Sequence, residues 1–173
     1  MAIAIGISGS PSRQSKSRRL LVHGLDRLSA QGMQTGLVDL CELPADDLLG
    51  RTRTPAIEEA LAAVAGARLL IVGTPVYRAS YSGLLKVFFD LLKPDALAGV
   101  VAIPIATGGG PAHSLVIDYA LRPLLASVAA RVVSAGIYGT DAQFGADGPD
   151  AALTAAVDRA VTEAQEVMAH GVL

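Results

Sequence analysis

The sequence predicts an open, doubly wound α/β sheet of five parallel strands in the order 2-1-3-4-5, with helices on both faces. Three observations lead there. Short apolar runs alternate with helix-period segments as five strand–helix units. Strands one, three and four are continuous apolar runs, as parallel strands covered on both faces are. The right-handed crossover rule then leaves an open sheet wound in both directions.

In chain order, the apolar run Ala2–Ser8 is the first strand, and Ser15–Gln31 follows as a helix. Gln34–Leu40 is the second strand, closed by a loop with Pro44, Asp46 and Asp47. Pro55–Gly66 begins with a proline, which suits a first helical turn. Ala67–Gly73 is the third strand, and its loop Thr74–Tyr81 leads into the helix Ser82–Leu92, with Ser82 as its cap. Val100–Ala106 is the fourth strand, ending at Thr107-Gly-Gly-Gly-Pro. Ala112–Ala130 reads as one long helix, Arg131–Tyr138 as the fifth strand and Asp150–Ala169 as the closing helix. The whole chain, residues 1–173, is expected to form a single domain.

Composition narrows the function. Hydrophobic residues make up 51% of the chain but aromatics only 4%, so the core must be aliphatic. A net charge of -2 lacks the basic excess of a general nucleic-acid binder. Cys41 stands alone and cannot form an intrachain disulfide, and no Cys/His cluster has zinc spacing, so no metal is expected. The apolar start lacks a charged leader, and no run of about 18 uncharged apolar residues exists. The expectation is a soluble, cytoplasmic protein with no membrane or nucleic-acid partner.

Ligands of such sheets bind beyond the carboxyl ends of the strands, where the strand order reverses. The loops after strands one, three and four converge there, and they begin at Ser8, Thr74 and Thr107. The first loop carries Ser8, Ser10, Ser12, Ser15 and Ser17 with Arg13 and Lys16, followed by Arg18 and Arg19. Hydroxyls, cations and the amide groups of a helix N-terminus together favour an anion. Neither G-x-G-x-x-G nor G-x-x-x-x-G-K-[ST] is present, which argues against a dinucleotide pyrophosphate and a nucleoside triphosphate. A terminal phosphate monoester, such as that of FMN, suits the cradle. The competing reading is a solvated serine-rich turn with a helix cap at Ser15.

In the second loop, Pro75, Val76, Tyr77, Arg78 and Tyr81 concentrate two of the four tyrosines beside backbone groups. Flat amphipathic rings suit a planar ligand, although a loop packed for stability would also use them. In the third loop, Thr107, Gly108 and Gly109 let the backbone approach a ligand, and their amides can stabilise negative charge on a ring. A flexible turn is the alternative, and His113 reads equally as a cap, an interface residue or a ligand contact. Pro123 inside the long helix removes an amide and crowds the carbonyl of Tyr119. The expectation is a kink or π-bulge around Tyr119, unless the proline marks a boundary between two helices.

The segments Gly9-Ser10-Pro11-Ser12, residues 74–83 (TPVYRASYSG), Ala106-Thr107-Gly108-Gly109 and Asp118-Tyr119-Ala120-Leu121-Arg122-Pro123-Leu124, with His113, resemble the NADPH-dependent FMN reductases, particularly those of bacterial alkanesulfonate monooxygenase systems. The likeness runs in order from about Ile3 to Tyr138. It implies a flavodoxin-like fold, FMN with NADPH or NADH as substrates, and reduced FMN as a diffusing product for a flavin-dependent monooxygenase. It also implies a homodimer or homotetramer, with Tyr119 in a π-helix at the subunit interface. Hydride transfer needs stacking rather than acid–base chemistry, so no catalytic side chain is assigned, and Arg13 or Arg18 is the candidate for a 2′-phosphate. The rival readings are a quinone or azo reductase with tightly bound FMN, a flavodoxin-like electron carrier, and a relative that has lost flavin binding.

Overall fold

The computed structural model describes residues 3–170; Ala2, the first residue of the expected first strand, lies outside them. Five strand positions form one parallel sheet. The strands are β1 (Ile3–Ser8), β2 (Gln34–Asp39), β3 (Leu69–Pro75), β4 (Val101–Gly108), β5 (Arg131–Val132) and β6 (Ile137–Thr140). The order is β2-β1-β3-β4-β5, and β6 also pairs with β4. The expected 2-1-3-4-5 order is present, with the fifth position built from two short pieces.

That break has a cause in β4. The carbonyls of Val100 and Ala102 accept from the amides of Arg131 and Val133, so alternate residues of β4 face this neighbour. Pro104 comes next in that register and has no amide to give. Pairing resumes at Ile105 opposite Ile137. The excluded segment is tied down by side chains instead. Arg122 donates to the carbonyls of Val133 (2.6 Å) and Ser134 (2.5 Å), and Glu163 accepts from the amides of Ser134 (2.7 Å) and Ala135 (3.1 Å).

The helices are α1 (Lys16–Ala30), α2 (Ala45–Leu48), α3 (Pro55–Ala65), α4 (Gly83–Phe89), α5 (Arg122–Ala126) and α6 (Ala151–His170). Period-two alternation along the strands divides the core. Ile5, Ile7, Leu70, Val72 and Ala102 pack with Ile57 and Val64 of α3, Leu85 and Phe88 of α4, and Leu125 of α5. Ala4, Leu69, Ile71, Val101 and Ile103 pack with Leu20, Leu21 and Leu28 of α1 and Val157 and Val161 of α6. Gly24 lets α1 sit close to the sheet, because a Cβ there would meet Ile71 Cδ1 at 2.7 Å.

The expected helix Ala112–Ala130 is not continuous. A 3₁₀ turn at Pro111–His113 and a π-helix at Ile117–Leu121 precede the short α5. Within the π turn the amide of Arg122 bonds to the carbonyl of Ile117, five residues back. This register passes the point where Pro123 offers no amide. An antiparallel pair, β7 (Phe144–Gly145) and β8 (Gly148–Pro149), joins β6 to α6 and had no counterpart in the sequence reading.

Candidate functional site

At the carboxyl end of the sheet a cleft of about 330 Å³ opens between the loops after β1, β3 and β4. Ser10, Ser12, Ser15 and Lys16 line one wall, Pro75, Val76 and Tyr77 a second, and Thr107, Gly108 and Gly109 a third. The fold thus brings ten of the sequence-derived candidates together. The eleventh lining residue is Asp141, which follows β6.

The loops are fastened to one another below the cleft. The Gly9 amide donates to the Gly73 carbonyl at 2.7 Å. A Cβ on Gly9 would sit 2.9 Å from Leu85 Cβ, so only glycine fits that crossing. Ser82 caps α4 by accepting from the Leu85 amide (3.1 Å) and donates its proton to the Gly9 carbonyl (2.5 Å). Thr74 Oγ1 accepts from the Ser82 amide at 3.0 Å. The Val76 amide donates to the Thr107 carbonyl at 2.7 Å, and Tyr138 Oη donates to the Gly110 carbonyl at 2.6 Å.

The first loop is a run of hydroxyl acceptors. Ser10 Oγ accepts from the Ser12 amide (3.1 Å), Ser12 Oγ from the Gln14 amide (3.2 Å), and Ser15 Oγ from the Arg18 amide (3.2 Å), the last as the cap of α1. Each hydroxyl that accepts from an amide keeps its own proton to donate. Three of the nearby cations are already paired: Arg13 with Glu42 (2.9 Å), Lys16 with Asp141 (2.8 Å) and Arg18 with Asp39 (2.7 Å), and Arg19 lines a separate cavity. The wall therefore offers hydroxyl donors with little net charge.

In the second loop Tyr77 and Ser80 exchange backbone hydrogen bonds of 2.9 and 3.1 Å across Arg78 and Ala79. Both central residues are left-handed, with φ of 50° and 61°. Two non-glycine residues in that region store strain of about 1–3 kcal/mol each, a feature that concentrates at ligand sites. The turn leaves Tyr77 half exposed at the cleft. In the third loop a Cβ on Gly108 would lie 2.5 Å from Tyr138 Oη, whereas positions Gly109 and Gly110 are open.

Five candidates lie outside the cleft lining. Ser8 and Ser17 are fully buried, and Ser8 Oγ has no hydrogen-bond partner among the described residues. Arg13 turns to Glu42, Arg78 occupies the left-handed turn, and Tyr81 packs against the core that contains Leu85 and Phe88. Tyr138 and Asp141 were missed by the sequence reading. Their one signal was position, at the carboxyl end of the fifth strand, where ligands of this architecture bind. Tyr119 lies in the π-helix, 79% exposed, beside a separate cavity of about 490 Å³ that Ala79, Ser80, His113 and Leu115 also line. Among the described residues no group of three metal-ligating side chains occurs, and no helix is long and apolar enough to cross a membrane.

Parallel sheet order, helices on both faces and a cleft at the switch point define a flavodoxin-like protein. A flavodoxin of Streptococcus pneumoniae shares that fold at a TM-score of 0.63 with 14% identity, over 96% of this chain and 99% of its own. The family model for NADPH-dependent FMN reductase matches residues 3–145. An FMN reductase (NADPH) of Pseudomonas putida is 42% identical over 142 residues, which cover 82% of this chain and 72% of the relative. The apo crystal structure of an NADH:FMN oxidoreductase (EMOB) is 39% identical, with a TM-score of 0.85 over 94% of this chain and 89% of its own. The chain belongs to the NADPH-dependent FMN reductase family and is an NAD(P)H:FMN oxidoreductase.

Proposed function

We propose that this chain, acting as a single domain, reduces FMN in the cleft between its β1, β3 and β4 loops and releases the reduced flavin to a flavin-dependent monooxygenase. The observation that carries the site is the meeting of three loops from distant parts of the chain around one cleft: a hydroxyl-donor wall, a Pro-Val-Tyr wall and a glycine wall. Their donor chemistry fits FMN. The hydroxyls of Ser10, Ser12 and Ser15 suit the phosphate, with Ser8 and Ser17 shaping the strand end and first helical turn behind them. Pro75, Val76 and Tyr77 suit the flat ring, with Arg78 and Tyr81 setting the turn. Backbone amides near Thr107, Gly108 and Gly109 suit the ring's polar edge.

Bound FMN supplies the hydride acceptor and the nicotinamide the hydride. The chain's task is to hold the two rings in stacking distance and to screen them from water. No side chain needs to carry a proton, and none is assigned to do so. Arg13, exposed and paired only with an exposed glutamate, is the better placed of the two arginines for a 2′-phosphate; Arg18 is committed to the buried Asp39.

The cytoplasm is the proposed setting. Assembly as a homodimer or homotetramer is supported by Tyr119 and Leu115, 79% and 61% exposed on neighbouring turns. Substrate choice is tested by steady-state oxidation of NADPH and of NADH with FMN, FAD and riboflavin in turn. FMN should be preferred, and equal rates with riboflavin would remove the phosphate from the account.

A further inference from the structure

We infer that Asp141 competes with the phosphate of the bound flavin for Lys16, and so sets how readily the cleft releases its ligand. This rests on the reading that the first loop holds that phosphate. Of the three ion pairs around the loop, Arg13–Glu42 and Arg18–Asp39 lie outside the cleft lining, whereas Lys16 and Asp141 both belong to it. A carboxylate thus stands on the same cleft as Ser10, Ser12 and Ser15, where like charge opposes a phosphate.

The position of Asp141 is fixed by its surroundings. It opens a 3₁₀ turn, Asp141–Gln143, and Gln143 Oε1 accepts from the Thr140 amide (3.0 Å) and hydroxyl (3.1 Å). The Asp150 amide anchors the same turn through the Gln143 carbonyl at 2.8 Å. Lys16 is held towards this segment twice, by Asp141 at 2.8 Å and by the Phe144 ring, whose centroid is 5.6 Å from Nζ. A phosphate that recruits Lys16 must share the ammonium with Asp141 or displace it. Either way part of the attraction is cancelled, so hydroxyls and backbone amides provide most of the hold and exchange is fast.

The test is equilibrium binding of oxidised FMN and of riboflavin, read by flavin fluorescence, with FMN release followed by stopped flow. Asp141→Asn should tighten FMN about fivefold, the scale of one exposed charge pair, and slow its release similarly, while riboflavin changes by less than about twofold. Asp141→Glu should behave like the parent, and Lys16→Met should loosen FMN selectively. An unchanged FMN-to-riboflavin ratio in Asp141→Asn overturns the inference, as does equal tightening of both. The Ser10→Ala/Ser12→Ala variant separates the two levels. If it lowers the ratio while Asp141→Asn leaves it fixed, only the competition is wrong. If it too leaves the ratio fixed, the first loop does not hold the phosphate and both readings fall.

Discussion

The hydroxyl of Ser82 donates to the carbonyl of Gly9 across 73 residues of sequence, at 2.5 Å, while capping α4. One buried side chain thus fixes the loop after β3 to the loop after β1. Ser82→Ala removes a helix cap and strands a buried carbonyl, each worth about 1–2 kcal/mol. The expected outcome is a lower Tm and a raised KM for FMN, measured by thermal denaturation and steady-state kinetics. A variant with both parameters unchanged would show that the two loops are held independently.

Ser10→Ala combined with Ser15→Ala should weaken FMN more than riboflavin, by about a hundredfold for two hydrogen bonds to a charged group at about 1.5 kcal/mol each. Fluorescence titration measures both ligands on the same protein. Equal losses would point to a general loop distortion rather than to lost phosphate contacts.

Gly108→Ala places a methyl group 2.5 Å from Tyr138 Oη, which holds the Gly110 carbonyl. The tyrosine or the loop must move, and flavin turnover should fall by at least about tenfold, an ångström-scale displacement being costly at such a site. Adding Tyr138→Phe relieves part of the clash and should restore some activity. If the double variant is worse than the single one, the tyrosine contact is not what constrains the glycine.

Asp47 gives the fold an acid-sensitive element remote from the cleft. Hydrogen bonds from the Thr52 hydroxyl (2.6 Å) and from the Thr54 hydroxyl and amide (3.2 Å for the amide) hold its carboxyl below the usual carboxylate range. A folded-state pKa below the unfolded value, about 3.9, contributes stability that is present above that value and lost as pH falls through the folded pKa. Asp47→Asn should therefore be less stable at neutral pH and lose less between about pH 5 and pH 3, as read by denaturant titrations. An identical acid slope in parent and variant would remove Asp47 from this role.

Tyr119→Ala removes the most exposed ring of the π-helical turn. The expected result is a smaller assembly or stronger flavin retention, measured by light scattering and by the flavin that survives gel filtration. No change in assembly, flavin affinity or turnover would leave the turn without its proposed role.

Much of this was legible because local rules and the global fold agree. Continuous apolar runs mark β1, β3 and β4, and the serine, tyrosine and glycine loops follow them directly. Pro123 pointed to the irregular turn at Tyr119 because a missing amide is a local fact. The differences from the expected elements are partly local and partly tertiary. The 112–130 segment keeps helical composition, yet three glycines and a proline precede it and the π register interrupts it. The fifth strand breaks opposite Pro104, and the displaced backbone is held by Arg122 of the preceding helix and by Glu163 of α6, which lies 29 residues beyond Ser134. Asp141 and Tyr138 carry no motif, and only the folded sheet brings them to the glycine loop and to Lys16.

FMN is proposed to visit the cleft and to leave it in reduced form. Anaerobic reduction of a hundredfold excess of FMN over protein by NADPH or NADH, followed by loss of flavin absorbance, tests it most directly. The whole flavin pool should be bleached by many turnovers of each chain. Bleaching that stops at one FMN per chain would show a resident cofactor instead of a flavin that turns over.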